Sequence, residues 1–216
     1  MSNQTSEQFN LDDLKSARAL TVEIVQSVAA LVKPAMVTED VESILAKELK
    51  ERGIEKLWHP SKVRLGKNTT KSFRELNEEV TLEEGDLFFL DIGPVYLDHE
   101  GDYGDTFVCG KDVKGHGRLA KAAKQIFEVT KSAWQGENLS GEALYQVAVA
   151  EAQKHELILN PAMGGHRVGE FPHALHYKGQ LLPYDSIPHS GLWILEILVV
   201  DPSLERGAFF EDLLIE

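Results

Sequence analysis

Hydrophobic positions along the chain change period several times, and each change marks an element. From Leu11 to Val32 apolar residues recur at helical spacing (Leu14, Ala17, Ile24, Val28, Leu31), and the proline of "KPAM" disfavours helix just before it. A second helix is expected from Thr38, read as an N-cap with Glu39 and Asp40 in an acidic first turn, to Gly53, which is placed to close it. The pattern then shortens to β-like pieces at "KVRLG", "LFFLDIGPVYL" and "DTFVCG", punctuated by Gly and Pro as hairpin connections are. Further helices are predicted at about Arg118 to Trp134 and Ser140 to His155, the latter capped by Ser140. The final third returns to strands at "LWILEILVV" and "AFFEDLLIE". Helices and hairpins alternate without the strand–helix–strand rhythm of a parallel sheet, which predicts an α+β layout.

The strands carry an anomaly. "LWILEILVV" sets Glu196 among eight apolar residues, a run that reads as a strand buried on both faces. An ionised carboxylate there costs several kcal/mol unless it is paired or bound to a metal. "LFFLD" delivers Asp91 and "AFFE" delivers Glu211 in the same way. One such acid can point outward or sit at a solvated strand end. For acids on three separate apolar strands a shared cation is the more economical explanation, since oxygen-rich ligands suit hard or borderline divalent metals.

Composition narrows the setting. At 216 residues the chain is expected to form one domain, residues 1–216, without a separate N-terminal domain. No apolar run approaches the roughly 18–20 residues that span a bilayer, so a soluble chain without a membrane partner is expected. The start, "MSNQTSEQFNLDD", has neither a basic segment nor an apolar core resembling a secretory signal, and Cys109 is the only cysteine, so the simplest expectation is a cytoplasmic location. A net charge of −13 with no basic stripe argues against a nucleic-acid partner.

The order of the acidic motifs carries a resemblance. "DIGPVYLDHEGDYGDTF" resembles the DxGxxY segment of the pita-bread metallopeptidases, the family of methionine aminopeptidase, aminopeptidase P, prolidase and creatinase. That family's register, a second aspartate eleven residues on and a strand phenylalanine five beyond it, matches Asp102 and Phe107 and favours Asp102 over the competing Asp105 of "GDT". "GGHRVGEFPH" is similar to the family's glycine-rich histidine segment, matching His166 and, seven residues later, His173. "GLWILE" and "FFEDLLIE" stand where the family has its two strand glutamates.

The resemblance implies a pita-bread fold, a mainly antiparallel curved sheet covered by helices, and five metal ligands: Asp91, Asp102, His166, Glu196 and Glu211. It further implies two divalent ions bridged by Asp102 and Glu211, with Asp91 completing one shell and His166 with Glu196 the other. Glu196 and His173 would be the catalytic residues of an aminopeptidase cutting an N-terminal peptide bond, with a peptide as substrate and a homodimer as the assembly. Ligand hardness points first to Mn²⁺, with Co²⁺, Fe²⁺ or Zn²⁺ as alternatives. "DIGPVY" looks closer to the proline-specific branch, whereas Arg167, Ala174, Ile197, Gly104 and Asp105 depart from the family pattern and bear on substrate choice. A creatinase-like C–N hydrolase and a non-catalytic peptide-binding or protein-binding relative are the competing readings, against which the retention of all five ligands argues. His59 and His176 could line the substrate pocket but are read first as ordinary surface or strand-end histidines, Trp58 and Trp193 as core, and Cys109 as a small buried residue rather than a nucleophile.

Overall fold

The computed structural model describes residues 3–216; Met1 and Ser2, where the segment read for a leader begins, lie outside the described residues. Helix α1, Leu11–Ala29, starts where Asn10 accepts the N–H groups of Asp12 and Asp13. It ends three residues before the Val32 boundary expected from periodicity. Helix α2, Thr38–Glu51, corrects one expectation: Val37 is the N-cap and Thr38 is already helical. Val37 has no oxygen with which to cap, and the Asp40 carboxylate instead reaches back to accept its N–H at 3.0 Å. Gly53, at φ +72°, follows the end of α2 as expected.

Strand β1, Leu57–Leu65, begins earlier than "KVRLG" suggested. Pro60 interrupts the sequence pattern, and the chain absorbs it through register shifts between Leu57 and His59 and between His59 and Lys62. Strands β2 (Leu87–Tyr96), β3 (His99–Glu100) and β4 (Tyr103–Val108) follow, then helices α3 (Gly117–Glu137) and α4 (Gly141–Lys154). Ser140 caps α4 through the Ala143 N–H, as expected. Short strands β5 (Ile158–Leu159) and β6 (His166–Arg167) lead to the long β7 (Trp193–Asp201) and β8 (Arg206–Leu213).

All strand pairs are antiparallel, in the order β1-β2-β4-β8-β7-β5, with β3 beside β2 and β6 beside β7. Period two then divides each long strand between two faces. Phe88, Leu90 and Ile92 of β2, Leu195 and Ile197 of β7 and Phe210 of β8 join one core with Ile24 and Val28 of α1, Val41 and Leu45 of α2, Ile126 and Phe127 of α3, and Leu144 and Ala148 of α4. The alternate residues Phe89, Leu198 and Phe209 form a separate cluster with Met163. The sheet is therefore covered on both sides, which is why "LWILEILVV" is continuously apolar. No helix among the described residues is long and apolar enough to cross a membrane.

Candidate metal centre

On the face away from the main core, the registers line up four strands. Asp91 of β2 pairs with Gly104 of β4, Gly104 with Glu211 of β8, and Glu211 with Glu196 of β7. Three carboxylates thus lie on one transverse row, with Phe89, Leu198 and Phe209 two residues away along their strands as the neighbouring apolar row. Asp102 stands two residues before Gly104 and so shares its face, and His166 of β6 pairs with Ile194, two residues before Glu196. All five residues implied as ligands by the resemblance are therefore brought together from five segments separated by up to 120 positions. Asp105 goes elsewhere: its carboxylate accepts the Thr106 N–H at 2.7 Å and contacts Lys124 at 2.7 Å and the Tyr103 hydroxyl at 3.1 Å.

His59, read from the sequence first as an ordinary histidine and second as a pocket residue, and Trp58, read as core, both line the cavity. The irregular pairing of β1 sets His59 opposite Gly93, and a Cβ on Gly93 would come within 2.4 Å of His59 Nε2 and of Trp58 Nε1. A residue without a side chain is needed there for both rings to enter. His59 Nε2 lies 3.5 Å from Asp91 Oδ1 and 3.5 Å from Asp102 Oδ1. Trp58 packs against the small buried cluster of Leu14, Val168, Ile194 and Leu213 and also lines the cavity, with ring contacts to His59, His166 and His173 at centroid distances of 4.3, 5.0 and 5.3 Å. The available signal was the tripeptide "WHP" itself, two rings set before a proline that bends an edge strand. Trp193 and Cys109 are buried, as expected.

The cluster is heavily desolvated. Asp91, Asp102 and Glu211 are at most 3 % exposed, and neither oxygen of Asp102, nor Oε1 of Glu211, has a hydrogen-bond partner among the described residues. His166 Nε2 approaches Asp102 Oδ2 to 3.1 Å. Burial raises the pKa of Glu196 to about 7, assisted by the charges of Asp91 and Asp102 and opposed by His166. Burial, with repulsion from Asp102, Asp91 and Glu196, drives Glu211 well above the ordinary carboxyl range. Burial likewise raises Asp91, His59 opposing it. For Asp102 burial is outweighed by His166 and His59, and its pKa falls. The two imidazoles respond in kind: burial pulls each down, but Asp91 and Asp102 bring His59 to about 9, and Asp102 and Glu196 bring His166 to about 10. Buried carboxyl groups are thus compensated by protons on their neighbours, protons that a cation could replace.

Two groups of three residues, His59–Asp91–Asp102 and Asp102–His166–Glu211, each bring their ligand atoms within 4.8 Å of one another. They share Asp102. Glu196 is oriented from β6's approach: Gly165, at φ +64° and so in the region that favours glycine, donates its N–H to Glu196 Oε2 at 2.6 Å. A cavity of about 500 Å³ opens over the row, lined by Trp58, His59, Phe73, Met163 and Gln180 beside the acids, with Arg74 at its exposed side. His173 stands behind His166, ring centroids 6.2 Å apart, with Nδ1 2.8 Å from Glu100 Oε2 and its backbone N–H on Glu100 Oε1. Glu100, buried in β3, was also missed by sequence reading. His176 does not line the cavity and pairs with Glu170 at 2.7 Å. The side chain of Arg167 is buried, with Nη2 donating to the Gln4 carbonyl.

A carboxylate-rich centre with two imidazoles, recessed in a cavity on a two-faced antiparallel sheet, has donors that could hold divalent ions. The model of metallopeptidase family M24 matches residues 12–214, and the chain belongs to that family. It is 25% identical over 178 residues to the methionine aminopeptidase of Aquifex aeolicus, covering 77% of this chain and 68% of that one. Among solved structures, the X-Pro aminopeptidase of Thermotoga maritima superposes with a TM-score of 0.78 at 14% identity over 95% of this chain, which spans 60% of that one. The methionine aminopeptidase of the same organism gives 0.74 at 17% identity over 96% of this chain and 92% of that one. These likenesses establish the pita-bread fold.

Proposed function

We propose that the chain is a dinuclear metal-dependent aminopeptidase that hydrolyses the N-terminal bond of a peptide. The observation that carries the reading is the buried row of Asp91, Glu211 and Glu196 with Asp102 and His166 beside it, in which the desolvated oxygens of Asp102 face only the imidazoles of His166, at 3.1 Å, and His59, at 3.5 Å, and no aligned hydrogen-bond donor among the described residues. Such orphaned, desolvated acceptors fit cations. Four carboxylates also match the formal charge of two divalent ions. Asp102, common to both groups of ligand atoms, and Glu211, between Asp91 and Glu196 on the row, would be shared by the two ions. Asp91 would hold one of them, and His166 with Glu196 the other.

When bound, the ions supply Lewis acidity: a water acidic enough to attack at neutral pH, and a polarised scissile carbonyl. Glu196 lines the cavity, is held at Oε2 by the Gly165 N–H, and takes the proton of the attacking water. His173, with Nδ1 engaged by Glu100, offers Nε2 to the carbonyl oxygen or to the departing nitrogen. Trp58, Phe73 and Met163 give the peptide's first side chain an apolar surface. Mn²⁺ is the first metal to try. The finer selectivity is proposed for Xaa-Pro bonds, on the likeness of "DIGPVY" to the proline-specific branch.

A small peptide panel tests this, varying the first residue and placing proline or alanine second, with Mn²⁺ or chelator. Metal-dependent release of the first residue, lost in Glu196→Gln, is expected. Equal release with chelator, or from the variant, overturns the assignment; faster release before alanine than before proline overturns only the Xaa-Pro part.

A further inference from the structure

The geometry points to His59 as a sixth metal ligand, on the Asp91 and Asp102 side, so that each of the two ion positions has its own imidazole nitrogen. This rests on the dinuclear reading above and goes beyond the five ligands that the family resemblance implies.

His59 Nδ1 lies 3.0 Å from the Pro60 carbonyl oxygen, which only accepts, so Nδ1 carries a proton, and Nε2 is the nitrogen that faces the acids and would offer its lone pair there once its own proton is displaced by an ion. His166 is arranged the same way: Nδ1 lies 3.0 Å from the Arg167 carbonyl oxygen, and Nε2 faces Asp102. In each case the next residue's carbonyl fixes the tautomer that a metal requires. His59 Nε2 stands equidistant, at 3.5 Å, from one oxygen of Asp91 and one of Asp102, and that Asp102 oxygen has no hydrogen-bond partner among the described residues. The Asp102 side chain is 1 % exposed, so water does not compensate it.

The ring is also built in. Gly93 leaves out the Cβ that would fall 2.2 Å from His59 Cδ2. Trp58 and Phe73 hold the imidazole edge-on, at centroid distances of 4.3 and 5.7 Å. The β1 irregularity that accommodates Pro60 aims this side chain at the row. An imidazole on each ion makes the pair of sites softer than a carboxylate set with one histidine, which favours Co²⁺, Fe²⁺ or Zn²⁺ over Mn²⁺.

The test loads the full chain, stripped by chelator, with Co²⁺ and records paramagnetically shifted proton resonances that vanish in D₂O. Each Nε2-bound histidine contributes one such signal from its Nδ1–H. Wild type is expected to show two, His59→Ala one, and His166→Ala one. Gly93→Ala, which keeps His59 but fills its space, is expected to lose the His59 signal. Calorimetric titration is expected to show one of two Co²⁺ sites weakened by about 10–100-fold or more in His59→Ala, with a smaller loss for Mn²⁺. Two bound Co²⁺ with a single exchangeable signal in wild type overturns the His59 assignment and leaves the dinuclear reading standing. Failure of wild type to bind Co²⁺ or Mn²⁺ at all overturns both.

Discussion

Glu196 shows how a single side chain exposes a site. On a strand buried on both faces it keeps one oxygen on the Gly165 N–H, and its pKa of about 7 records the cost of desolvation. Glu196→Gln is expected to keep the fold and lower kcat by at least about 100-fold, the lower range for losing a general base, as measured on whichever peptide the wild type cleaves fastest. Protonation predicts a pH dependence with a definite sign. Glu196, His59 and His166 have folded pKa values raised to about 7, 9 and 10, so near neutrality they hold protons that a metal displaces. Apparent metal affinity therefore rises with pH, by about tenfold per unit for each proton released. Titrations between about pH 6 and about pH 8 check this, and an affinity independent of pH would contradict it. Asp91, Glu196 and Glu211 were legible because each follows or interrupts an apolar run, whereas Asp102, in a polar turn, was reached only through the family register. The place of His59 beside them was not legible, because Pro60 hides its strand and that place depends on a register shift that no local pattern records.

Among the elements, strand pairing turns scattered residues into a row. Asp91, Gly104, Glu211 and Glu196 are adjacent only because β2, β4, β8 and β7 pair in that order, so slippage by one residue would send every acid to the helix-covered face. Leu198→Ala removes a fully buried side chain from the apolar row beside Glu196 and is expected to cost about 2–5 kcal/mol in urea unfolding. A second device clamps the sheet at the other end of these strands. Asp86, just before β2, accepts two bonds from the Arg206 guanidinium at the start of β8, at 2.7 and 2.9 Å. Burial opposes the charge of Asp86, but Arg206 prevails and holds its pKa below the ordinary value. A depressed folded pKa stabilises above the unfolded value, near 3.9, and that contribution is lost as pH falls through the folded one. Asp86→Ala is expected to cost about 3 kcal/mol at neutral pH, with the gap to wild type narrowing below about pH 4. The helices and long strands were readable from periodicity. The two-residue strands β3, β5 and β6 were not, because pairing alone defines them.

For the molecule as a whole, the two faces of the sheet divide the work. One is sealed by α1 to α4, while the other carries an apolar row, a carboxylate row and a cavity of about 500 Å³. The continuous greasiness of "LWILEILVV" and the charge at its centre thus share one origin: a strand covered on both sides, with its second cover incomplete over the acids. Ions that bind only the folded chain stabilise it by mass action, about 2.7 kcal/mol at a hundredfold excess over Kd. For a chain of this length that corresponds to a rise of roughly 5–10 °C in Tm, which calorimetry with and without chelator would measure. The most direct test of the account titrates the chelator-stripped chain with Mn²⁺ or Co²⁺ while following release of the first residue from a peptide. Turnover is predicted to be absent without metal, to climb with added ions and to level off at two per chain. Release that precedes any metal and ignores its addition, or two bound ions with no release from any peptide of the panel, would contradict it.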